Sequence, residues 1–229
     1  MVFDTMKRVT IPEFLDTDSG TPAEIAASVS DLDRINRWFG GIAATQSLIE
    51  RVSVKIGSRS LSLLEVAAGS GLVPEQARIR LQRSGIRLDV TLLDRAPSHL
   101  RNGPRKGSRA VAGDARALPF KDESFDLVSS CLFVHHLEPE ELVQFVNEGL
   151  RVCRCAVLIN DLIRHPLHLA LVYGGLPLFR SRLTHHDAPA SVRQAYSSAE
   201  MNELLQRTNA TRIEMQHQFL FRMGVVIWK

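Results

Sequence analysis

Cysteine is scarce in this chain of 229 residues: there are three, Cys131, Cys153 and Cys155, and no CxxC pair among them. An odd number cannot pair off completely, and without that spacing neither a disulfide framework nor a cysteine-rich metal site is expected. Such usage fits a reducing, cytoplasmic setting. No apolar run approaches the ~20 residues of a membrane span. The opening MVFDTMKRVT lacks the apolar heart of a secretory signal. Internal repeats and low-complexity tracts are also missing. The net charge is only +3, which gives little pull toward nucleic acid. What remains is an ordinary length and a 45% apolar content, enough for the core of one α/β domain with added elements.

The chain is organised around Leu61 to Leu72, LSLLEVAAGSGL. An apolar strand-like run breaks into Ala67-Ala68-Gly69-Ser70-Gly71 and leads into a helical pattern with Pro74 in its first turn. Strand, glycine turn and helix are the unit with which parallel α/β proteins hold nucleotide-like ligands. Several other motifs are excluded. The dinucleotide fingerprint G-x-G-x-x-G would need a glycine where Pro74 stands, which disfavours a hydride-transfer enzyme. No lysine follows to complete a phosphate loop, and there is no G-x-S-x-G elbow.

Ahead of this unit, Thr21-Pro22-Ala23-Glu24 reads as a capping box with proline at the first helical position. Apolar residues at helical spacing run to Phe39, Gly40-Gly41 breaks the pattern, and a second helix runs from Ile42 to about Ile56. Residues 1–20 read as irregular. After the glycine turn the pattern predicts a helix over 73–83 and strands over 87–93, 109–112 and 125–131. A helix over 139–152 and a strand over 156–159 follow. Strands alternating with helices imply a mostly parallel sheet. Residues 164–195 read as a long insertion, apolar up to Phe179 and then polar (SRLTHHDAPASVRQAY), placed to act as a lid or substrate wall. Ser197 to Glu200 is another capping box. The two runs over 211–218 and 219–228 are so close in sequence that they must pair antiparallel.

Ligands in open α/β sheets bind beyond the carboxyl ends of the strands. Glu65, Asp94, Asp114 and Asp161 sit at or near such ends. Asp94, roughly twenty residues after the glycines, is spaced to accept from ribose hydroxyls. Asp114 is spaced to accept from an exocyclic amine. Glu65 lies inside an apolar strand, where a carboxylate needs a cation or donors.

Four segments together, LLEVAAGSG, TLLDRAP, GDARALPF and SFDLVSSCLFVHHL, resemble the class I S-adenosylmethionine-dependent methyltransferases over about Leu61 to Asp161. GDARALPF followed by SFDLV is especially like the subgroup of ubiquinone and menaquinone methyltransferases. The resemblance implies a Rossmann-like, doubly wound, seven-stranded α/β sheet, mostly parallel with a C-terminal antiparallel hairpin, plus N-terminal helices. It implies a single methyltransferase domain: a helical cap at 1–56, a cofactor core at 57–162, a substrate lid at 163–197 and a closing helix and hairpin at 198–229. The cofactor would be S-adenosyl-L-methionine and the product S-adenosyl-L-homocysteine. Glu65, Ala67, Gly69 and Gly71 would line the methionine end. Asp94 would hold the ribose, and Arg95 or Ala96 would lie beside adenine. Asp114 and the backbone N–H of Ala115 would meet the adenine, and Ser130 and Cys131 would lie near the methionine amino group. Ala67 stands where the family's first glycine would be, so a slightly tighter turn with retained binding is expected.

For the methyl acceptor, the chain lacks both the Asn/Asp-Pro-Pro-aromatic motif of amino-methylating nucleic-acid enzymes and the Pro-Cys of cytosine carbon methylation, so no nucleic-acid partner is expected. A small molecule is expected instead. Leu167, Leu169, Leu171, Val172, Tyr173 and Leu176 suggest an apolar or aromatic body, methylated on oxygen or carbon. The alternatives are an RNA or protein methyltransferase, or a cofactor-binding partner without catalysis. Candidate bases are His135 and His136 after the fourth strand and His185, His186 and Asp187 in the insertion, with His135 and His186 foremost, because histidine titrates near neutral pH. No metal is expected, since the histidines lack supporting cysteine or carboxylate spacing.

Overall fold

A computed structural model of the chain describes residues 6–17, 19–96, 100 and 108–229. Seven strands form one sheet in the order β3-β2-β1-β4-β5-β7-β6: β1 (Ser60–Val66), β2 (Arg87–Asp94), β3 (Arg109–Ala112), β4 (Phe125–Cys131), β5 (Cys153–Leu162), β6 (Arg212–Gln218) and β7 (Arg222–Trp228). The first five are parallel and β7 pairs antiparallel with both β5 and β6. This is the Rossmann-like sheet with a terminal hairpin that the sequence implies. Strand order reverses between β1 and β4, so their carboxyl ends flank the switch point at which open α/β sheets take ligands.

Strand alternation divides the core into two layers. Leu64, Val66, Val128, Val157 and Ile159 face one layer with Phe145, Val146 and Met201. Leu61, Leu63, Leu127 and Leu158 face the other with Leu48, Ile49, Val52 and Leu81. The helices that supply these residues start where the sequence signals. In α1 (Pro22–Trp38) both halves of the Thr21–Glu24 capping box form. In α4 (Pro139–Val152) the Glu138 N–H donates to the Glu141 carboxylate over 3.0 Å. The Ser197–Glu200 box starts α7 (Ser198–Leu205). Between α1 and α3 (Leu72–Arg83), α2 spans Gly41–Ile56.

Gly71 caps α3 at φ +74°, and a Cβ there would lie 2.6 Å from Leu92 Cδ1. Gly71→Ala is therefore expected to destabilise the protein by about 2 kcal/mol or more, from left-handed strain together with overlap against β2. Urea unfolding measures this, and a loss below about 0.5 kcal/mol would contradict the close packing of the turn on β2.

Two segments differ from the sequence reading. The strand expected at 156–159 extends to ten residues, Cys153–Leu162, because both of its edges are paired. The insertion is mostly helical: α5 (Pro166–Gly175) and α6 (Arg182–Gln194). The second of these is the polar run. The Ser181 hydroxyl accepts from the Leu183 N–H at its start, and Pro189 lies inside it. Its inner face holds Leu183, Asp187, Ala190 and Gln194, half of them polar, which dilutes the helical hydrophobic period.

Those polar side chains hold the N-terminal segment. The Asp187 carboxylate accepts from the N–H groups of Phe14 (2.9 Å) and Leu15 (3.1 Å). Gln194 and Ser191 donate to Glu13 over 2.7 and 2.6 Å. Arg8 donates to the carbonyls of Gln194 and Leu137 over 2.8 and 2.9 Å. Residues 6–17 thus form a strap across the carboxyl end of the sheet, and α1 packs on α6 beside it.

Candidate functional site

A cavity of about 540 Å³ opens at the carboxyl ends of β1, β2, β4 and β5, between the strap, α1, α5 and α6. That volume is within the usual range for small-molecule sites. Of the twelve residues singled out in the sequence, Glu65, Ala67, Gly69, Asp94, Arg95, Asp114, Ala115, Cys131 and His135 line it.

The glycine turn is shaped by backbone conformation. Ala67 sits at φ +53° and Gly69 at φ +53°. Alanine pays about 1 kcal/mol for that conformation, so the missing first glycine strains the turn without closing it. A Cβ on Gly69 would meet nothing within 4 Å. Asp94, at the end of β2, clamps this turn: its Oδ2 accepts from the Gly69 N–H (2.8 Å) and its Oδ1 from the Ala96 N–H (2.9 Å).

Glu65 is 2% exposed and accepts a short hydrogen bond from the Ser129 hydroxyl on β4. Burial pushes its carboxyl up to about 7. The folded-state value is raised, so ionising Glu65 opposes folding; this cost is absent below the ordinary 4.5 and complete above about 7. Glu65→Gln is accordingly expected to raise the melting temperature of the ligand-free protein by a few degrees at pH 8 and to leave it unchanged at pH 5. Equal shifts at both pH values would show that the charge is not the cause.

Asp114 accepts from the Arg116 backbone N–H (2.9 Å) and from its guanidinium (3.0 and 3.2 Å), which holds the carboxyl below its ordinary value. Burial pushes the Cys131 thiol up to about 12, so it stays protonated. Ser130 does not line the cavity. It points to the opposite sheet face from Ser129, and its Oγ is buried without a hydrogen-bond partner among the described residues. Gly71 does not line the cavity; it caps α3 and packs against Leu92.

The two foremost candidate histidines separate. His135 is 2% exposed and lies between two acids, its Nδ1 2.6 Å from Asp161 Oδ1 and its Nε2 3.7 Å from Glu13 Oε1. Burial alone would lower its pKa, but Asp161 and Glu13 outweigh it and raise it to about 10. His135 is therefore an imidazolium at neutral pH. His186 does not line the cavity. Its Nδ1 is 2.8 Å from Asp187 Oδ1, and its ring stacks on Phe14 of the strap at 3.9 Å. Each of Glu13, His135 and His136 offers one atom within 4.8 Å of the others. With His135 protonated, Nε2 turns a hydrogen rather than a lone pair toward Glu13, which opposes a cation between them.

The sequence reading missed Glu13, Asn36, His168 and Arg222, all of which line the cavity. None lies in a recognisable motif, and each reaches the site only through the packing of distant segments. In the insertion, Leu171 and Val172 line the cavity, and Leu167, Leu171 and Tyr173 are each about half exposed. No helix among the described residues is long and apolar enough to cross a membrane.

Comparison with known proteins agrees with this fold. Residues 64–156 match a methyltransferase domain family. A phosphatidylethanolamine N-methyltransferase of Cereibacter sphaeroides is 32% identical over 155 residues, covering 65% of this chain and 73% of that protein. Among solved structures, the plantazolicin methyltransferase BpumL, crystallised with a monoazolic desmethylPZN analog and S-adenosylhomocysteine, superposes with a TM-score of 0.69 at 13% identity. It covers 94% of this chain and 92% of its own. A S-adenosylmethionine-dependent methyltransferase from Aquifex aeolicus superposes with a TM-score of 0.54 at 15% identity, over 76% and 86% of the two chains. The chain belongs to the class I S-adenosylmethionine-dependent methyltransferases, and S-adenosylmethionine is its cofactor.

Proposed function

We propose that the protein methylates an oxygen or an acidic carbon of a small acceptor with an apolar body, phenolic or enolic in class. One observation carries this reading. Away from the strand ends the cavity is lined by Leu32 and Ile35 of α1, Phe39 at the C-terminal cap of α1, Leu171 and Val172 of α5, and Val192 of α6. An apolar chamber beyond the cofactor turn suits a ring or a short chain, and removes it from water before transfer.

The cofactor supplies a methyl group on a sulfonium, and the chain supplies binding, alignment and exclusion of water. Asp94 would accept from the ribose hydroxyls at the end of β2, where its carboxylate already clamps the turn. Glu65, Ala67 and Gly69 would hold the methionine end with Cys131 beside them, and Asp114, Ala115 and Arg95 or Ala96 would hold the adenine. Gly71 keeps the turn open, and Ser130 acts only through the strand. His135 positions rather than accepts a proton: it is already charged, and Asp161 ties both its ring and its backbone to the end of β5. The strap and α6, joined through Asp187 and His186, close the chamber.

Calorimetric titration with S-adenosylmethionine and S-adenosylhomocysteine, with NAD as control, tests the cofactor assignment. Transfer of labelled methyl to a panel of phenols and to phosphatidylethanolamine vesicles tests the acceptor. Micromolar cofactor binding with label in a phenol supports the reading. Label in the vesicles alone would replace it with the amine acceptor that the 32%-identical relative's name describes.

A further inference from the structure

His168 and Arg222 are far apart in sequence, and neither lies in a family motif. Both line the cavity. His168, on α5, is 8% exposed. Its Nδ1 is 3.0 Å from the Ile163 carbonyl oxygen. A carbonyl only accepts, so Nδ1 carries the hydrogen and Nε2 keeps a lone pair. The ring is held flat on Phe221, with centroids 5.2 Å apart and 12° between planes. Burial pulls the pKa of His168 down; the Ile163 carbonyl opposes this, and Arg222 and His165 add to it. His168 is thus neutral at neutral pH, in contrast to His135.

Arg222, at the start of β7, is 1% exposed. Its guanidinium donates to the Phe39 carbonyl (3.0 Å), Asn160 Oδ1 (3.2 Å) and Asn36 Oδ1 (3.0 Å). These partners are neutral, as is the Cys131 thiol 4.0 Å from the guanidinium, and no carboxylate among the described residues pairs with it. Asn160 is itself fixed, its Nδ2 donating to the Gly41 carbonyl (2.8 Å) and Thr45 (2.9 Å). Burying a cation without a counter-charge is costly. A protein that spends two asparagines orienting such a group at the edge of a substrate cavity has a place for an incoming anion.

We propose that His168 and Arg222 are the proton acceptor and the anion holder of the acceptor pocket: His168 Nε2 takes the acceptor's hydroxyl proton and Arg222 binds the oxyanion. This rests on the oxygen or acidic-carbon acceptor proposed above. The acceptor O–H bond breaks, its proton going to the Nε2 lone pair and its electron pair staying on oxygen. That pair forms the new bond to the methyl carbon as the carbon–sulfur bond breaks, whose pair remains on sulfur as a neutral thioether. The imidazolium returns its proton to water as product leaves. An ammonium acceptor would be repelled by Arg222, so the pair also selects against amines.

Binding of 4-nitrophenol to the full chain saturated with S-adenosylhomocysteine, followed by the phenolate absorbance across pH, tests the anion site without turnover. The bound phenol is expected to ionise at a pH lower than in solution by about one unit or more, since an opposite charge at contact favours the ionised form. Arg222→Met should abolish that shift and Arg222→Lys should restore part of it. An unshifted phenol in the unmodified protein overturns the proposal, as does a loss of S-adenosylhomocysteine affinity in Arg222→Met equal to its loss of phenolate affinity, which would give the guanidinium to the cofactor carboxylate.

Imidazole NMR, with His168→Gln for assignment, should show His168 neutral with its hydrogen on Nδ1; an imidazolium or the other tautomer overturns its role. In turnover, His168→Gln should slow a weakly acidic phenol such as orcinol by about 100-fold or more. It should slow 4-nitrophenol, already ionised, by less than about threefold. Equal losses on both overturn the proposal. No turnover of any phenol while nitrophenolate still binds at Arg222 would instead remove the acceptor class and leave the anion site standing.

Discussion

Asp161→Ala is expected to cost about 3–5 kcal/mol of stability, the range for removing one partner of a buried ion pair. Asp161 is 1% exposed. Its Oδ1 meets His135 Nδ1 at 2.6 Å and accepts the Leu162 N–H at 2.7 Å. Its Oδ2 accepts the N–H groups of Phe133 and His135 at 3.1 and 3.2 Å. Removing it strands a buried imidazolium, whose other carboxylate is 3.7 Å away at Glu13, together with three backbone donors. The pH dependence gives a second readout. His135 is raised from 6.5 to about 10, so its stabilisation is complete below 6.5 and lost as pH rises through about 10. Asp161 is lowered from 3.8, so its part is present above 3.8 and lost as pH falls through the lowered value. Urea unfolding across pH should therefore show a plateau in the parent protein and a weaker, earlier-declining curve in the variant. A loss under about 1 kcal/mol would mean that Asp161 is not the tie between β5 and the segment after β4.

Asp94→Ala should weaken binding of S-adenosylmethionine more than tenfold, which is about 1.4 kcal/mol or more. Two ribose hydrogen bonds are at stake in the role proposed for it, each worth about 1 kcal/mol. The carboxylate also holds the Gly69 and Ala96 N–H groups at 2.8 and 2.9 Å, so the variant loosens the turn as well as losing the contacts. Asp94→Asn separates the two effects. Its amide oxygen can still hold one N–H group, and its NH₂ can donate to a hydroxyl but cannot accept from one. Calorimetry that finds unchanged affinity in Asp94→Ala would remove the ribose assignment.

Much of the strand-end side of the cavity was legible because its signals are local. LLEVAAGSG encodes strand, turn and helix within a dozen residues, and Asp94 follows on the next strand. The terminal hairpin was legible because two apolar runs with almost no chain between them have one way to pair. The helical side of the cavity was not legible in the same way. The helix α6 was hidden because Asp187 and Gln194 sit on its buried face, where they bind the strap instead of filling a core. The strap itself has no period, since its backbone is held by side chains from more than 170 residues away. His135 looked like a base by residue type, and only the two acids beside it make it a standing cation.

By itself, then, the sequence determined the α/β class, the order of strands and helices, the glycine turn and the acids at the strand ends, because each depends on spacings of a few residues and on backbone geometry. The tertiary structure alone decided which histidine is charged and which is neutral, that Arg222 lies buried among neutral partners, and that residues 6–17 cover the cavity. Those properties come from burial and from neighbours brought together across the whole chain. The same imidazole is driven up by Asp161 and Glu13 at one position and down by desolvation beside Arg222 at another.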